Sequence, residues 1–180
     1  MSGVASSDRG PWLDPERLEL IRASVPLLYV EAIPVRLADD GAITHVGLLL
    51  GAPRSDRIER ALVSGRVLYL ETIRQALQRN LDKDLGPMAL PQLPTTLVPF
   101  TVRQYFPHTL DGEAGQVSYD PRQHAVSLVY VVPIAGDVQV DGDCLGFDWY
   151  PIADASSASL ATELASGHAE IIAQLAASCR

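Results

Sequence analysis

One lysine, Lys83, stands against thirteen arginines in this 180-residue chain, and only two cysteines, Cys144 and Cys179, occur. Two cysteines cannot build a disulfide framework, and both are expected to be ordinary buried thiols. No apolar run approaches the roughly 18 residues that a membrane-spanning helix needs. The opening MSGVASSDRGPW lacks the apolar core of a signal peptide, so a cytoplasmic protein with no membrane contact is expected. Basic charge is scarce, and the formal net charge is −8. That excludes a general nucleic-acid binder, which would present a basic face. It does not exclude a small phosphorylated ligand, because a pocket can be locally positive. The four histidines, His45, His108, His124 and His168, show no metal-ligand spacing. There is no GxSxG turn, no phosphate-cradling Walker loop and no dinucleotide fingerprint.

What is present suffices for one folded domain. Apolar residues make up 47% of the chain, enough to bury a core. Residues 1–11 are small and polar and read as a flexible N-terminus, leaving 12–180 as a single domain. Asp14 and Pro15 suit the start of a helix ending near Ala23. PLLYVEAIPVRL reads as a strand that Pro34 pushes toward a sheet edge. ADDGA is a turn and ITHVGLLLG a second strand, so the two form a hairpin. APRSDRIER is a polar connection, and ALVSGRV leads into a helix. PMALPQLP is a proline-punctuated loop, and TTLVPFTVRQYF is a strand. HTLDGEAGQVSYDPRQ is a loop or hairpin. HAVSLVYVVPI reads as the central strand. DVQVDGDCLGFDWYPI carries a turn and another strand, and SASLATELASGHAEIIAQLAAS closes the chain as a helix with a weak point at Ser166–Gly167. The pattern is a mixed β-sheet flanked by helices, an α/β/α sandwich.

The most informative stretch is GRVLYLETIRQALQRNLDKDLG, from Gly65 to Gly86. On a helix at about 100° per residue, Ile73, Ala76, Leu77 and Leu81 share one arc, and Asn80 and Asp84 fall inside it. Glu71, Arg74, Gln75, Gln78, Arg79 and Asp82 lie opposite, with Lys83 at the border. Two polar side chains four residues apart thus point inward with the apolar stripe. Unpaired burial costs about 1–3 kcal/mol per group. Either these groups bond to a neighbouring loop or they line a cleft.

Gly65, Glu71, Arg79, Leu81 and Gly86 stand at the spacing of the Nudix box, Gly-x5-Glu-x7-Arg-Glu-hydrophobic-x-Glu-Glu-x-Gly, and the chain resembles the Nudix hydrolase-like superfamily. A preceding strand pair, ALVSGRV, the late strand HAVSLVYVVPI and FDWYPIAD before a helix extend the resemblance over most of the chain. It implies a Nudix-like α/β/α sandwich with a mixed β-sheet and recognition of a nucleoside-diphosphate-type metabolite. It also implies Mg2+ or Mn2+ as cofactor and pairing as a homodimer. The box departs from the pattern where it matters for chemistry. The three clustered glutamates fall at Asn80, Lys83 and Asp84.

A hard cation prefers carboxylate, water and phosphate oxygens. At about 4 Å and an effective dielectric near 20, each unit charge matters by about 4 kcal/mol. A preformed multi-metal site is therefore not expected, and any Mg2+ or Mn2+ is expected to bind weakly. Three readings stay open. Lys83 replaces a metal and holds a diphosphate, helped by Arg66, Arg74, Arg79 or Arg103. Alternatively, one cation arrives with the substrate and meets Asp84 and Asn80, with catalysis carried by Asp84 and Glu71 and a base from Asp111, Glu113 or Asp120. In the third reading the site is inactive and the fold serves as a non-catalytic binding or assembly module, with Lys83 paired to Asp84. Glu71 acts electrostatically or forms a salt bridge with Arg79 or Arg74, the salt bridge being preferred; the three loop acids are otherwise solvated. Asp137, Asp141, Gly142, Asp143 and Asp148 loosely resemble a calcium loop but lack its flanking helices, and a hairpin turn is expected there. Trp149 and Tyr150 can stack on a base or pack in the core.

Overall fold

Asp14 caps the first helix by accepting a 2.9 Å hydrogen bond from the Arg17 amide, with Pro15 in the first turn, where a missing N–H costs nothing. The computed structural model describes residues 12–51, 57–108, 118–140 and 144–179. The elements run α1 (Pro15–Arg22), β1 (Leu27–Leu37), β2 (Ile43–Gly51), β3 (Glu59–Ala61), β4 (Val63–Arg66) and α2 (Ile73–Leu85). They continue as β5 (Thr101–Phe106), β6 (Ser118–Tyr119), β7 (Ala125–Pro133), β8 (Gly146–Pro151), α3 (Ala158–Ala161) and α4 (His168–Ser178). A short 3-10 turn, Pro87–Ala89, follows α2.

The eight strands form one mixed sheet ordered β3-β2-β1-β7-β5-β6, with β4 added to β1 and β8 added to β2. β1 and β2 are antiparallel, as a hairpin requires. β1 runs parallel to β7 from Leu27 to Val35, over the whole length of β7, and β5 runs parallel to β6. Alternation along the strands separates two cores. Ile33, Val35 and Val129 pack with Ile171, Ile172 and Leu175 of α4. Val30, Ala32, Tyr130 and Val132 pack on the other face against Ala76, Leu77, Leu81 and Leu85 of α2. Each such leucine, fully buried, contributes about 1.5–3 kcal/mol. The result is an α/β/α sandwich around a mixed sheet.

Several expectations change. Pro34 does not mark an edge, because β1 is central. On one side β1 pairs with β4 through Ala32 and with β2 from Val35 onward, so the residue without an N–H falls in the gap between two partners. The connection after Gly51 ends in a strand, β3, rather than remaining a loop. The segment after β5 returns as β6 in parallel, which rules out a hairpin of β5 with β6. β8 likewise pairs with β2 rather than with β7, so the acidic stretch after β7 is a crossover and not a hairpin turn. The closing helix is two helices, broken at Gly167, whose φ of +84° favours glycine. Cys179 is exposed and Cys144 half-buried, so the expectation of two buried thiols fails. No helix among the described residues is long and apolar enough to cross a membrane.

Candidate functional site

The loop from Val67 to Thr72 carries the chain from β4 into α2, and local bonds fix its shape. Thr72 caps α2 through a reciprocal capping box with Gln75. Glu71 therefore lies just ahead of the helix. One of its oxygens accepts the Leu68 amide at 2.9 Å. Leu70 adopts φ +64° and is largely exposed. A left-handed leucine is costly and persists only where its surroundings enforce it.

Glu71 and Arg79 form a two-point clasp. Nε of Arg79 donates to Oε1 at 2.7 Å and Nη2 to Oε2 at 2.8 Å. Nη2 also donates to the Arg66 carbonyl at 2.8 Å, tying the loop, the helix and β4 together. The hydrogen bond from Arg79 holds the Glu71 carboxyl below the usual carboxylate range, against the effect of burial. The Trp12 ring lies 5.5 Å from the Arg79 guanidinium.

Asn80 points inward and is 3% exposed. Its Nδ2 donates to the Ala76 carbonyl at 2.8 Å, and its Oδ1 receives a long bond of 3.4 Å from Arg79 Nη1. Gly65 lies so close that a Cβ there would overlap the Asn80 amide. That overlap gives this glycine its physical reason. Asp84 is also mostly buried, its side chain 15% exposed, and it pairs with the exposed Lys83 at 3.0 Å. Burial pushes the Asp84 carboxyl above its ordinary range, while the hydrogen bond from Lys83 and a backbone bond from Ser64 work the other way.

At the three positions of the clustered glutamates the box thus offers one mostly buried carboxylate beside an ammonium, plus an amide whose oxygen faces a guanidinium, while the Glu71 carboxylate is already held by Arg79. This donor set does not fit a resident divalent cation. No cluster of three or more His, Cys, Asp or Glu able to hold a metal occurs among the described residues.

The other expected participants are spread over the fold. Arg74 bonds the carbonyls of Pro94 and Thr95 and so braces a loop. Arg66 and Arg103 are half-buried on β4 and β5. Asp120 is not a solvated loop acid: it is 2% exposed and pairs with Arg122 at 2.9 Å. Asp111 and Glu113 lie outside the described residues, as do Asp141, Gly142 and Asp143. Asp148 pairs with Arg60 at 2.8 Å. His108 is exposed, His45 bonds Thr44, and His124 stacks on Phe106 at 4.3 Å. Trp149 packs edge-on to Phe147 beneath the Arg36 guanidinium, and Tyr150 lies under Arg60.

Sequence reasoning missed a buried polar group on the α4 face. Glu31 is fully buried, accepts from the Tyr105 hydroxyl at 3.1 Å and lies 3.6 Å from His168 Nε2. The Leu62 amide donates to His168 Nδ1 at 3.2 Å. That bond needs a lone pair on Nδ1, so the ring is neutral with its proton on Nε2, facing Glu31. A glutamate inside an apolar strand such as LLYVEAIPVRL was the available signal.

Comparison with known proteins bears on these features. Residues 8–179 match a family described as a domain of unknown function, DUF4916. No curated protein matches. A crystal structure from Jonesia denitrificans DSM 20603, described as a possible asymmetric diadenosine tetraphosphate (Ap4A) hydrolase, is 43% identical. It aligns over 87% of this chain and 96% of its own, with a TM-score of 0.79. A Nudix hydrolase from Nitrosomonas europaea, 16% identical, aligns over 87% of this chain and 92% of its own at a TM-score of 0.59. The Nudix domain of Shewanella oneidensis NrtR, complexed with ADP-ribose, is 18% identical and aligns over 98% of this chain and all of its own at 0.55. These last two speak to the fold alone. The match over residues 8–179 shows that the chain belongs to the DUF4916 family, and its fold is that of the Nudix hydrolases.

Proposed function

We propose that this protein recognises a small nucleoside-diphosphate-type metabolite, with metal-dependent hydrolysis absent or altered. The observation that carries this reading is the C-terminal end of α2. There Lys83 and Asp84 pair at 3.0 Å, and Asn80 is sealed against Gly65. A free ammonium can hold a diphosphate as a point charge where a cation would otherwise stand. Lys83 is 63% exposed and able to leave Asp84 for such a ligand. Support for the ligand class comes from the 43% identical relative described as a possible Ap4A hydrolase. Its named substrate is a nucleoside polyphosphate.

In this reading Arg79 and Glu71 act by shaping the loop that the ligand meets, because their charges already satisfy each other. Arg66 and Arg103 stand on the other face of the sheet from α2 and add positive charge there. Any hydrolysis centres on Asp84, and a cation that accompanied the ligand would find there its acidic ligand from the box. A cytoplasmic location and a homodimer belong to the same reading.

The test is a panel of nucleoside diphosphate derivatives, including ADP-ribose and diadenosine polyphosphates. Binding is followed by calorimetry, and phosphate release is followed with and without Mg2+ or Mn2+. Metal-free binding with little release is expected, as is weaker binding by Lys83→Met. Turnover in the ordinary enzymatic range, about 1 s−1 or faster, in Mg2+ would overturn the absent-or-altered reading. In that case Asp84→Ala should abolish it. No binding across the panel would leave the assembly-module alternative.

A further inference from the structure

Four residues line up across four adjacent strands. Arg66 of β4 pairs with Tyr29 of β1, Tyr29 pairs with Ser127 of β7, and Ser127 pairs with Arg103 of β5. Directly paired residues share a face of the sheet. Tyr29 and Ser127 alternate in step with Ile33, Val35 and Val129, so the row lies on the α4 face. α4 packs farther along the strands, against Ile33 and Val35, and leaves Arg66, Tyr29 and Arg103 half-buried. Three interstrand spacings of about 4.8 Å put the two arginine backbones about 14 Å apart, close enough for their guanidinium groups to grip one elongated anion between them.

The row is polar without being satisfied. Arg66 Nη1, Arg103 Nε and Ser127 Oγ are buried and have no hydrogen-bond partner among the described residues. Neither arginine forms a salt bridge there. By contrast, Arg22, Arg60, Arg79 and Arg122 each pair with an acid. In a chain of net charge −8, two half-buried guanidinium groups with no acid partner among the described residues carry an uncompensated desolvation cost. Glu31 lies in the adjoining row, but its oxygens are directed at Tyr105 and His168. The row is also held in place. Gln123, itself buried, donates to the Tyr29 hydroxyl at 2.7 Å, and Arg103 Nη2 donates to Ser118 Oγ at 3.1 Å. Gly167, at the start of α4, packs against Ser118 and Tyr105, so the positive end of that helix adjoins the Arg103 end of the row.

We propose that the row Arg66–Tyr29–Ser127–Arg103 is a metal-independent diphosphate site, on the face of the sheet opposite α2. It deepens the ligand class proposed above and rests on that reading. The two guanidinium groups bracket the diphosphate and Ser127 donates between them.

The probe is inorganic pyrophosphate, titrated calorimetrically in EDTA at low salt, with ADP-ribose alongside. The wild type should bind pyrophosphate, and more weakly as salt rises. Arg66→Met and Arg103→Met should each weaken it tenfold or more, with melting curves confirming the fold. Arg66→Lys, which keeps the charge but loses the fork, should recover part of the loss. Folded Arg66→Met and Arg103→Met variants that bind like the wild type would overturn the row. If Lys83→Met still weakened ADP-ribose binding in that case, the box-centred reading would stand without it. Wild-type binding of pyrophosphate only with Mg2+ present would also overturn the row. Failure of the wild type to bind either probe would overturn both proposals.

Discussion

Replacing Arg79 by methionine removes the group that ties the box loop, α2 and β4 together. Four hydrogen bonds from the guanidinium are lost: three between 2.7 and 2.8 Å, to Glu71 Oε1, to Glu71 Oε2 and to the Arg66 carbonyl, and the long one of 3.4 Å to Asn80 Oδ1. Bonds to charged groups contribute about 1.5–3 kcal/mol each before discounting. The Arg79 side chain is 29% exposed and that of Glu71 11%, so solvent screens part of this. The Glu71 carboxylate left behind keeps the Leu68 amide as a partner. A net loss of about 2–3 kcal/mol is expected. For a chain of this size about 2–4 °C is lost per kcal/mol, so Tm should fall by about 4–12 °C. The pH dependence is more telling. Folded Glu71 titrates below its unfolded value. Its contribution is therefore complete above the ordinary glutamate range, near pH 4.3, and fades as pH falls through the lower folded value. Melting curves of wild type and Arg79→Met should thus converge on acidification, and Glu71→Gln should narrow the gap at neutral pH. A Tm difference below about 1 °C at pH 7, or one that persists unchanged to about pH 3, would refute the clasp as a stabilising unit.

Other substitutions probe neighbouring parts of the fold. Gly65→Ala forces a methyl group into the Asn80 amide and should cost about 1–3 kcal/mol in urea unfolding. Adding Asn80→Ala should recover part of that, and a neutral single variant would contradict the close approach. Burial raises the Asp84 carboxyl, so the folded state holds its proton to higher pH than the unfolded chain, and ionisation of Asp84 lowers stability as pH rises through that window. Asp84→Asn should accordingly leave Tm at pH 7 unchanged or raise it by the equivalent of up to about 1 kcal/mol, whereas a marked drop would mean that the Lys83 pair outweighs burial. Gly167→Ala meets both a left-handed φ of +84° and the Ser118 hydroxyl. It should destabilise by at least roughly 1–2 kcal/mol, and an unchanged melting curve would show that the turn before α4 is free to rearrange.

Local rules made part of this protein readable from its residues. Asp14 and Pro15 announce a helix start, and one appears there. The 3.6-residue period of α2 placed Asn80 and Asp84 inward with Ala76, Leu77 and Leu81, which follows from helical geometry alone. The Gly65-to-Gly86 spacing carried the family resemblance, and the departures at Asn80, Lys83 and Asp84 were visible as plain residue identities. Tertiary structure alone decided what those identities touch. Asn80 turned out to bond its own helix and press on Gly65, and the Arg79 partner proved to be Glu71. The central position of β1 despite Pro34 depended on where β4 stops and β2 begins, which no local signal encodes. The row from Arg66 to Arg103 joins residues from distant parts of the chain through β-sheet register. Register is a non-local quantity, fixed by which faces bury and which strands neighbour one another, so a reading that moves along the chain meets each member of the row alone.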